Sequence, residues 1–158
     1  MWYRQTRAEF GRNRGAKNKR AIKRLVEAGR APGILAYAGR EAVGWCSVAP
    51  REEFTRLARS RASKPVDDRP VWSVVCFFVK KEYRRRGVTA ALLAAAAQHV
   101  AQRGGKILEG YPIESRAKRM ADAFAWVGFD SAFRRAGFRE VARHTPTRPI
   151  MRRVVRGT

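Results

Sequence analysis

The segment Val79-Lys-Lys-Glu-Tyr-Arg-Arg-Arg-Gly-Val-Thr-Ala-Ala-Leu-Leu93 places three arginines and a glycine between an apolar strand pattern and an alanine-leucine helix pattern. That is the make-up of a pyrophosphate cradle. A short turn gathers backbone N–H groups, and the helix behind it points its positive end at the anion. Glycine at 87 lets the backbone approach phosphates with no Cβ in the way. The backbone from Arg84 through Arg85, Arg86, Gly87 and Val88 to Thr89 supplies the candidate donors. A lone arginine-rich turn is ordinarily a basic surface loop. Here strand, arginine, glycine and helix all fall in register, which favours the cradle. Two other phosphate-binding patterns do not fit, because no G-x-G-x-x-G follows a strand and no Gly-Lys-Ser/Thr occurs.

The same residues resemble the acetyl-CoA-binding motif of the GNAT superfamily of N-acetyltransferases, Val-x-x-x-Tyr/Phe-Gln/Arg-x-x-Gly-x-Gly/Ala-x-x-Leu-Leu. Arg84 fills the Gln/Arg slot and Gly87 the first glycine slot. Thr89 stands where Gly or Ala is usual, and a hydroxyl in the first turn of a helix can itself donate to a phosphate. A second match is Phe133-Arg-Arg-Ala-Gly-Phe138, which resembles the family's Tyr-x-x-x-Gly-Phe near its C-terminus. The resemblance covers residues 17–155.

It implies acetyl-CoA as cosubstrate and direct attack of an amine on the acetyl thioester, with no metal. Positioning and oxyanion stabilisation can supply much of the acceleration of such a step. The backbone of Phe78 and Val79 is expected to meet pantetheine where the central strand splays from the next, with an N–H near Val79 as oxyanion donor. For the general base the best candidate is Glu109. It lies near the C-terminal end of the strand after the motif helix, where such sheets place ligands, and glutamate is depleted in central strands. Tyr111 points to the same face by the strand period of two, so the pair can serve as base and as acid or positioning group. The structural alternative is an ion pair of Glu109 with one of the many arginines. The family often places an acidic tyrosine where this chain has Phe133, which cannot donate a proton. Ser131, two residues earlier, is expected to point elsewhere. Trp45, Trp72, Phe124 and Trp126 can line an acceptor pocket or fill the core, and Asp122 and Asp130 can attract a cationic amine or pair with arginine.

Positioning these residues requires a sheet and a crossover helix. Residues 17–28 read as a helix with Ile22, Leu25 and Val26 on one stripe. Ile34–Ala38 and Ala42–Val48 read as a hairpin around Gly39-Arg-Glu41. Residues 51–70 form a charged connection with a short helix at Glu53–Arg59. Val71–Val79 is a β-branched and aromatic run suited to a central strand. Thr89–Gln102 is a helix whose Leu92, Leu93, Ala96 and Val100 share a face. Lys106–Tyr111 is the next strand, and residues 113–130 a loop with helical tendency. Ser131–Ala136 is a short helix, and strands follow to about Arg143 and over Ile150–Val155. The expected fold is α/β, a mixed and mostly antiparallel central sheet with helices on both faces, in a single domain over residues 1–158. Residues 1–15 show no clear periodicity, so the family's opening strand and helix have no visible counterpart there. A sheet edge left open in this way leaves room for a homodimer.

Composition narrows the partners. The chain has 158 residues, 45% of them hydrophobic, which suits one domain with a core. No apolar run reaches the roughly 18 residues that span a bilayer, and Met-Trp-Tyr-Arg-Gln is not a signal-peptide start. A cytoplasmic protein with no membrane partner is the expectation. Cys46 and Cys76 read as small buried thiols in strands, although Cys76 lies close enough to the pantetheine strand for a nucleophile to be conceivable. His99 and His144 have no visible partners, and no Cys/His cluster has metal spacing. The net charge of +22 suits steering of polyanionic acetyl-CoA. It also fits a second reading, a non-catalytic nucleic-acid- or ribosome-binding protein on the same scaffold. The acceptor amine is not readable, because residues 51–70 and 112–130 carry no substrate signature.

Overall fold

In the computed structural model, which describes residues 1–114 and 125–156, six strands form one sheet. They are β1 (Gly33–Ala38), β2 (Glu41–Pro50), β3 (Trp72–Val79), β4 (Ile107–Gly110), β5 (Arg139–Thr145) and β6 (Arg148–Val154). Their order is β1-β2-β3-β4-β6-β5. Every neighbouring pair is antiparallel except β3 and β4. The parallel pair needs a crossover, and α4 (Val88–Gln102) supplies it. The remaining helices are α1 (Arg7–Arg12), α2 (Ala16–Glu27), α3 (Thr55–Ala58) and α5 (Asp130–Arg135). The expected strands and the motif helix are all present with ends shifted by a few residues.

Two apolar clusters cover the two faces of the sheet. On one face Leu92, Leu93, Ala96 and Val100 of α4 pack on Cys46, Val48, Val74 and Leu108, with Phe133 of α5 alongside. On the other, Phe54 and Leu57 around α3 pack on Val75, Tyr111 and Ile150. The alanines of α4 keep that helix close to the sheet, as its small side chains predict.

Residues 1–15 depart from expectation. No strand precedes β1 among the described residues, yet Arg7–Arg12 is helical. Its start is a reciprocal capping box: Thr6 Oγ1 accepts from the Glu9 N–H, and the Glu9 carboxylate accepts from the Thr6 N–H at 2.8 Å. The Thr-x-x-Glu spacing carried that signal, but six residues are too few for apolar periodicity to show.

The sheet opens at one place. β3 and β4 pair only at Trp72–Leu108, Ser73–Glu109 and Val74–Gly110. Beyond this β4 ends, and Ile113 instead forms a parallel bridge with Phe129. β3 continues to Val79, so among the described residues its far half has no strand neighbour on that side. Gly110 sits at the root of the opening. A Cβ there would overlap the Phe133 ring, whose Cζ would lie only 2.8 Å away. Gly110→Ala is therefore expected to cost roughly 3 kcal/mol by overpacking, read as a loss of about 10 °C in melting temperature. Adding Phe133→Leu should recover part of it. An unchanged melting temperature in the single variant would contradict this packing.

Candidate functional site

A cleft of about 590 Å³ lies where β3, still paired with β2, runs past the end of β4, between the start of α4 and the wall made by α5. Most of the residues expected at the cofactor site line it: Phe78, Val79, Arg84, Arg85, Gly87, Val88 and Thr89. Arg86 does not. Its guanidinium lies 5.7 Å from the ring centroid of Tyr83, which does line the cleft.

The loop conformation explains the glycine. Gly87 has φ of 80° and caps α4 in the left-handed region, which glycine enters without steric cost. Arg85 also has a positive φ of 62°, the one such non-glycine among the described residues. Successive turns of this kind aim backbone N–H groups into a common concavity that suits anions. The first α4 hydrogen bond runs from the Ala91 N–H to the Gly87 carbonyl. The N–H groups of Val88, Thr89 and Ala90 therefore have no helical acceptor, and all three residues line the cleft. Arg84 and Arg85, two positive-φ residues and a set of orphan N–H groups make a donor set that fits a pyrophosphate.

The strand side of the cleft is equally defined. The Lys80 N–H donates to the Val43 carbonyl at 2.9 Å, which turns the polar edge of Lys80 toward β2. By the alternation along an antiparallel strand, Val79 directs its own N–H and carbonyl the other way, to the side that β4 has left. Arg84 Nε donates to that carbonyl at 3.2 Å. The Val79 N–H is thus presented at the cleft, as an oxyanion or pantetheine donor must be. The Phe78 side chain is 57% exposed at the same place, so its ring is not core.

Glu109 and Tyr111 are brought together, but not in this cleft. Glu109 is 0% exposed and does not line the cleft. Its Oε2 accepts from Arg152 Nε at 2.6 Å, and its Oε1 accepts from the Tyr111 hydroxyl at 2.6 Å and from Arg51 Nη1 at 3.2 Å. Arg51 also reaches the Tyr111 hydroxyl and the Ser63 carbonyl, and Ser73 Oγ lies 2.9 Å from that hydroxyl. Burial, then the neighbouring Glu109 charge, pushes the Tyr111 phenol well above its ordinary range. On Arg152 burial works against the charge, but bonds to Asp67 and Glu109 outweigh it and raise its proton affinity. Asp67, held first by Arg152 and then by Arg69, is well below the usual carboxylate range. The expectation of a general base at the reacting centre does not match this placement. Glu109 is fully buried and its carboxylate accepts from three donors. The ion-pair alternative is what the geometry shows.

Other expectations sort similarly. Phe133 is 0% exposed, edge-on to Phe77 and Phe138 at 6.0 and 5.0 Å. Ser131 does line the cleft, contrary to expectation, as does Arg135 one turn later on α5; the sequence alone could not orient so short a helix. Trp126 lines the cleft, whereas Trp72 stacks edge-on with His99 at 6.0 Å and half-buried Trp45 packs near Gly33. Asp130 pairs with Arg134 at 3.5 Å. Asp122 and Phe124 lie outside the described residues. Burial pushes the Cys46 thiol up to about 12 and raises that of half-buried Cys76, so neither is an activated thiolate. Among the described residues no group of His, Cys, Asp and Glu side chains has metal-binding geometry, and no helix is long and apolar enough to cross a membrane.

A mostly antiparallel sheet that splits beside a helix N-terminus, with an anion cradle at the split, defines an acyltransferase architecture. Residues 1–129 match the acetyltransferase (GNAT) family, and the chain belongs to that family. Solved structures share the fold at low identity. A GNAT-family protein from Desulfovibrio desulfuricans superposes with a TM-score of 0.53 at 19% identity, over 86% of this chain and 77% of that one. The ribosomal-protein-alanine N-acetyltransferase of Brucella melitensis gives 0.54 at 16% identity, over 87% and 76%. An aminoglycoside acetyltransferase, solved with coenzyme A and kanamycin, gives 0.54 at 13% identity, over 76% and 64%. No curated protein matches the chain by sequence.

Proposed function

We propose that the protein transfers an acetyl group from acetyl-CoA to a primary amine of a small molecule or protein. The observation that carries this reading is the convergence of Val79, Arg84, Arg85, Gly87, Val88 and Thr89 on one cleft. The orphan N–H groups of α4 and the arginines would hold the pyrophosphate. Pantetheine would run along the unpaired edge of β3, and the Val79 N–H would stabilise the negative charge that develops on the thioester oxygen. The nitrogen–carbon bond forms as the carbon–sulfur bond breaks. One ammonium proton leaves to solvent before attack. The second leaves the nitrogen once the nitrogen–carbon bond has formed, and the departing thiolate takes it up through water to give free thiol. No carboxylate or imidazole lines the cleft among the described residues, so catalysis here rests on positioning and oxyanion stabilisation. Ser131 offers the leaving sulfur a hydroxyl on the α5 wall, where Phe133 cannot.

The test is a panel of primary amines with acetyl-CoA, following free thiol release and acetylated product by mass spectrometry. The expected result is thiol release stoichiometric with acetylation of one class of amine. Tight acetyl-CoA binding with no turnover on any amine would instead support the non-catalytic reading of this scaffold.

A further inference from the structure

Residues 7–30 carry nine arginines and lysines against two glutamates, a net charge of +7 in 24 residues. All nine basic side chains are exposed. Both glutamates are already engaged: Glu9 in the capping box with Thr6, and Glu27 with Lys23 at 3.5 Å. Arg30 pairs with Glu53 at 2.7 Å. That leaves Arg7, Arg12, Arg14, Lys17, Lys19, Arg20 and Arg24 as a cationic surface with no carboxylate partner among the described residues.

The charge is organised by α2. At 3.6 residues per turn, Lys17, Lys19, Arg20, Lys23 and Arg24 fall within an arc of about 160°. Lys19 and Lys23, and Arg20 and Arg24, are like charges one turn apart, an arrangement that weakens a helix standing alone. α2 buries no residue completely, so packing compensates for little of this repulsion. Arg12 and Arg14 extend the same cationic surface into the turn before it. None of these residues lines the cleft, so the surface is separate from the cofactor site.

We infer that α1 and α2 form a docking surface for the sugar-phosphate backbone of nucleic acid. The opposite stripe of α2 distinguishes this from a membrane surface. Ile22 and Leu25 are already half-buried against the domain, and only Val26, 58% exposed, remains. A helix that inserts into a bilayer needs a broad free apolar face, whereas a helix that lies on phosphates needs only its cationic arc. Binding through phosphates is indifferent to sequence and strongly dependent on salt. It would place the acetyltransferase cleft on molecules held at a nucleic acid, but the inference stands whether or not acetyl transfer does.

Fluorescence anisotropy with a labelled duplex DNA of about 20 base pairs and an RNA of the same length tests this. Wild-type protein should bind at least one of them, with affinity falling linearly in log salt, and the two arms show which backbone is preferred. Arg20→Gln/Arg24→Gln should weaken binding more than tenfold at low salt and reduce the slope by about 2, one unit per lost phosphate contact. Helix content by circular dichroism and acetyl-CoA affinity by calorimetry should be unchanged, so loss of folding or of the cofactor reading is separately visible. Absence of binding at about 50 mM salt, or equal binding by wild type and variant, would overturn the inference. So would equal affinity for polyglutamate or for vesicles containing anionic lipid.

Discussion

Gly87→Glu is expected to weaken acetyl-CoA binding at least about 100-fold while leaving the protein folded. Two effects add. Gly87 sits at φ of 80°, where any residue with a Cβ is destabilised by roughly 1–2 kcal/mol. A Cβ built there meets nothing within 4 Å, so the new side chain has open space to occupy, beside the N–H groups proposed to hold the pyrophosphate. A carboxylate about 4 Å from a phosphate charge costs about 4 kcal/mol at an intermediate dielectric. At 1.4 kcal/mol per tenfold, the expected loss is at least about 100-fold even after screening by the arginines. Gly87→Ala separates the two effects, because it strains the backbone without adding charge: it should lower folding stability by about 1–2 kcal/mol and affinity by no more than about tenfold. Calorimetric titration of both variants with acetyl-CoA decides the matter. Unchanged affinity in Gly87→Glu would remove the cleft from consideration as the cofactor site.

The loop that lines the cleft was legible because it is local. Arg84 to Thr89 are contiguous, their spacing is fixed by one turn and one helix, and a phosphate needs backbone groups that any sequence with that glycine can present. The strands were legible for a similar reason, since β-branched runs and turn residues mark them directly. The surroundings of Glu109 depend on contacts far apart in the chain. Nothing in Lys106–Tyr111 says that Arg152, 43 residues beyond Glu109, donates to it, or that Arg51, 58 residues before, joins from the end of β2. A glutamate in a central strand correctly signalled a special environment, and that environment is a buried ion-pair network outside the cleft. Ser131 and Phe133 show the limit of local reading in a short helix. Two residues apart on α5, one faces the cleft and the other fills the core, and only the neighbouring elements decide which.

The buried network gives the sharpest test of a catalytic against a structural Glu109. Glu109→Gln keeps the shape and one acceptor oxygen but removes the charge, leaving Arg152 to Asp67 at 2.7 Å and Arg51 to Tyr111 and Ser63. Breaking a buried pair from one side leaves an uncompensated charge and costs about 3–5 kcal/mol; the retained oxygen puts this variant near 3. With a urea m-value of about 2 kcal/mol per molar, the unfolding midpoint should fall by roughly 1.5 M. If the residue is structural, the pH–rate profile of the folded variant keeps its wild-type shape on the acceptor found by the amine panel. If Glu109 is the base, the acid limb of that profile changes instead, because the group that must deprotonate is gone. A cycle with Arg152→Met completes the argument. Arg152 and Glu109 are in direct contact, so the double variant should be more stable than the two single losses predict when added. Simple additivity would mean that the two side chains do not act as a pair, and the ion-pair reading of Glu109 would fail with it.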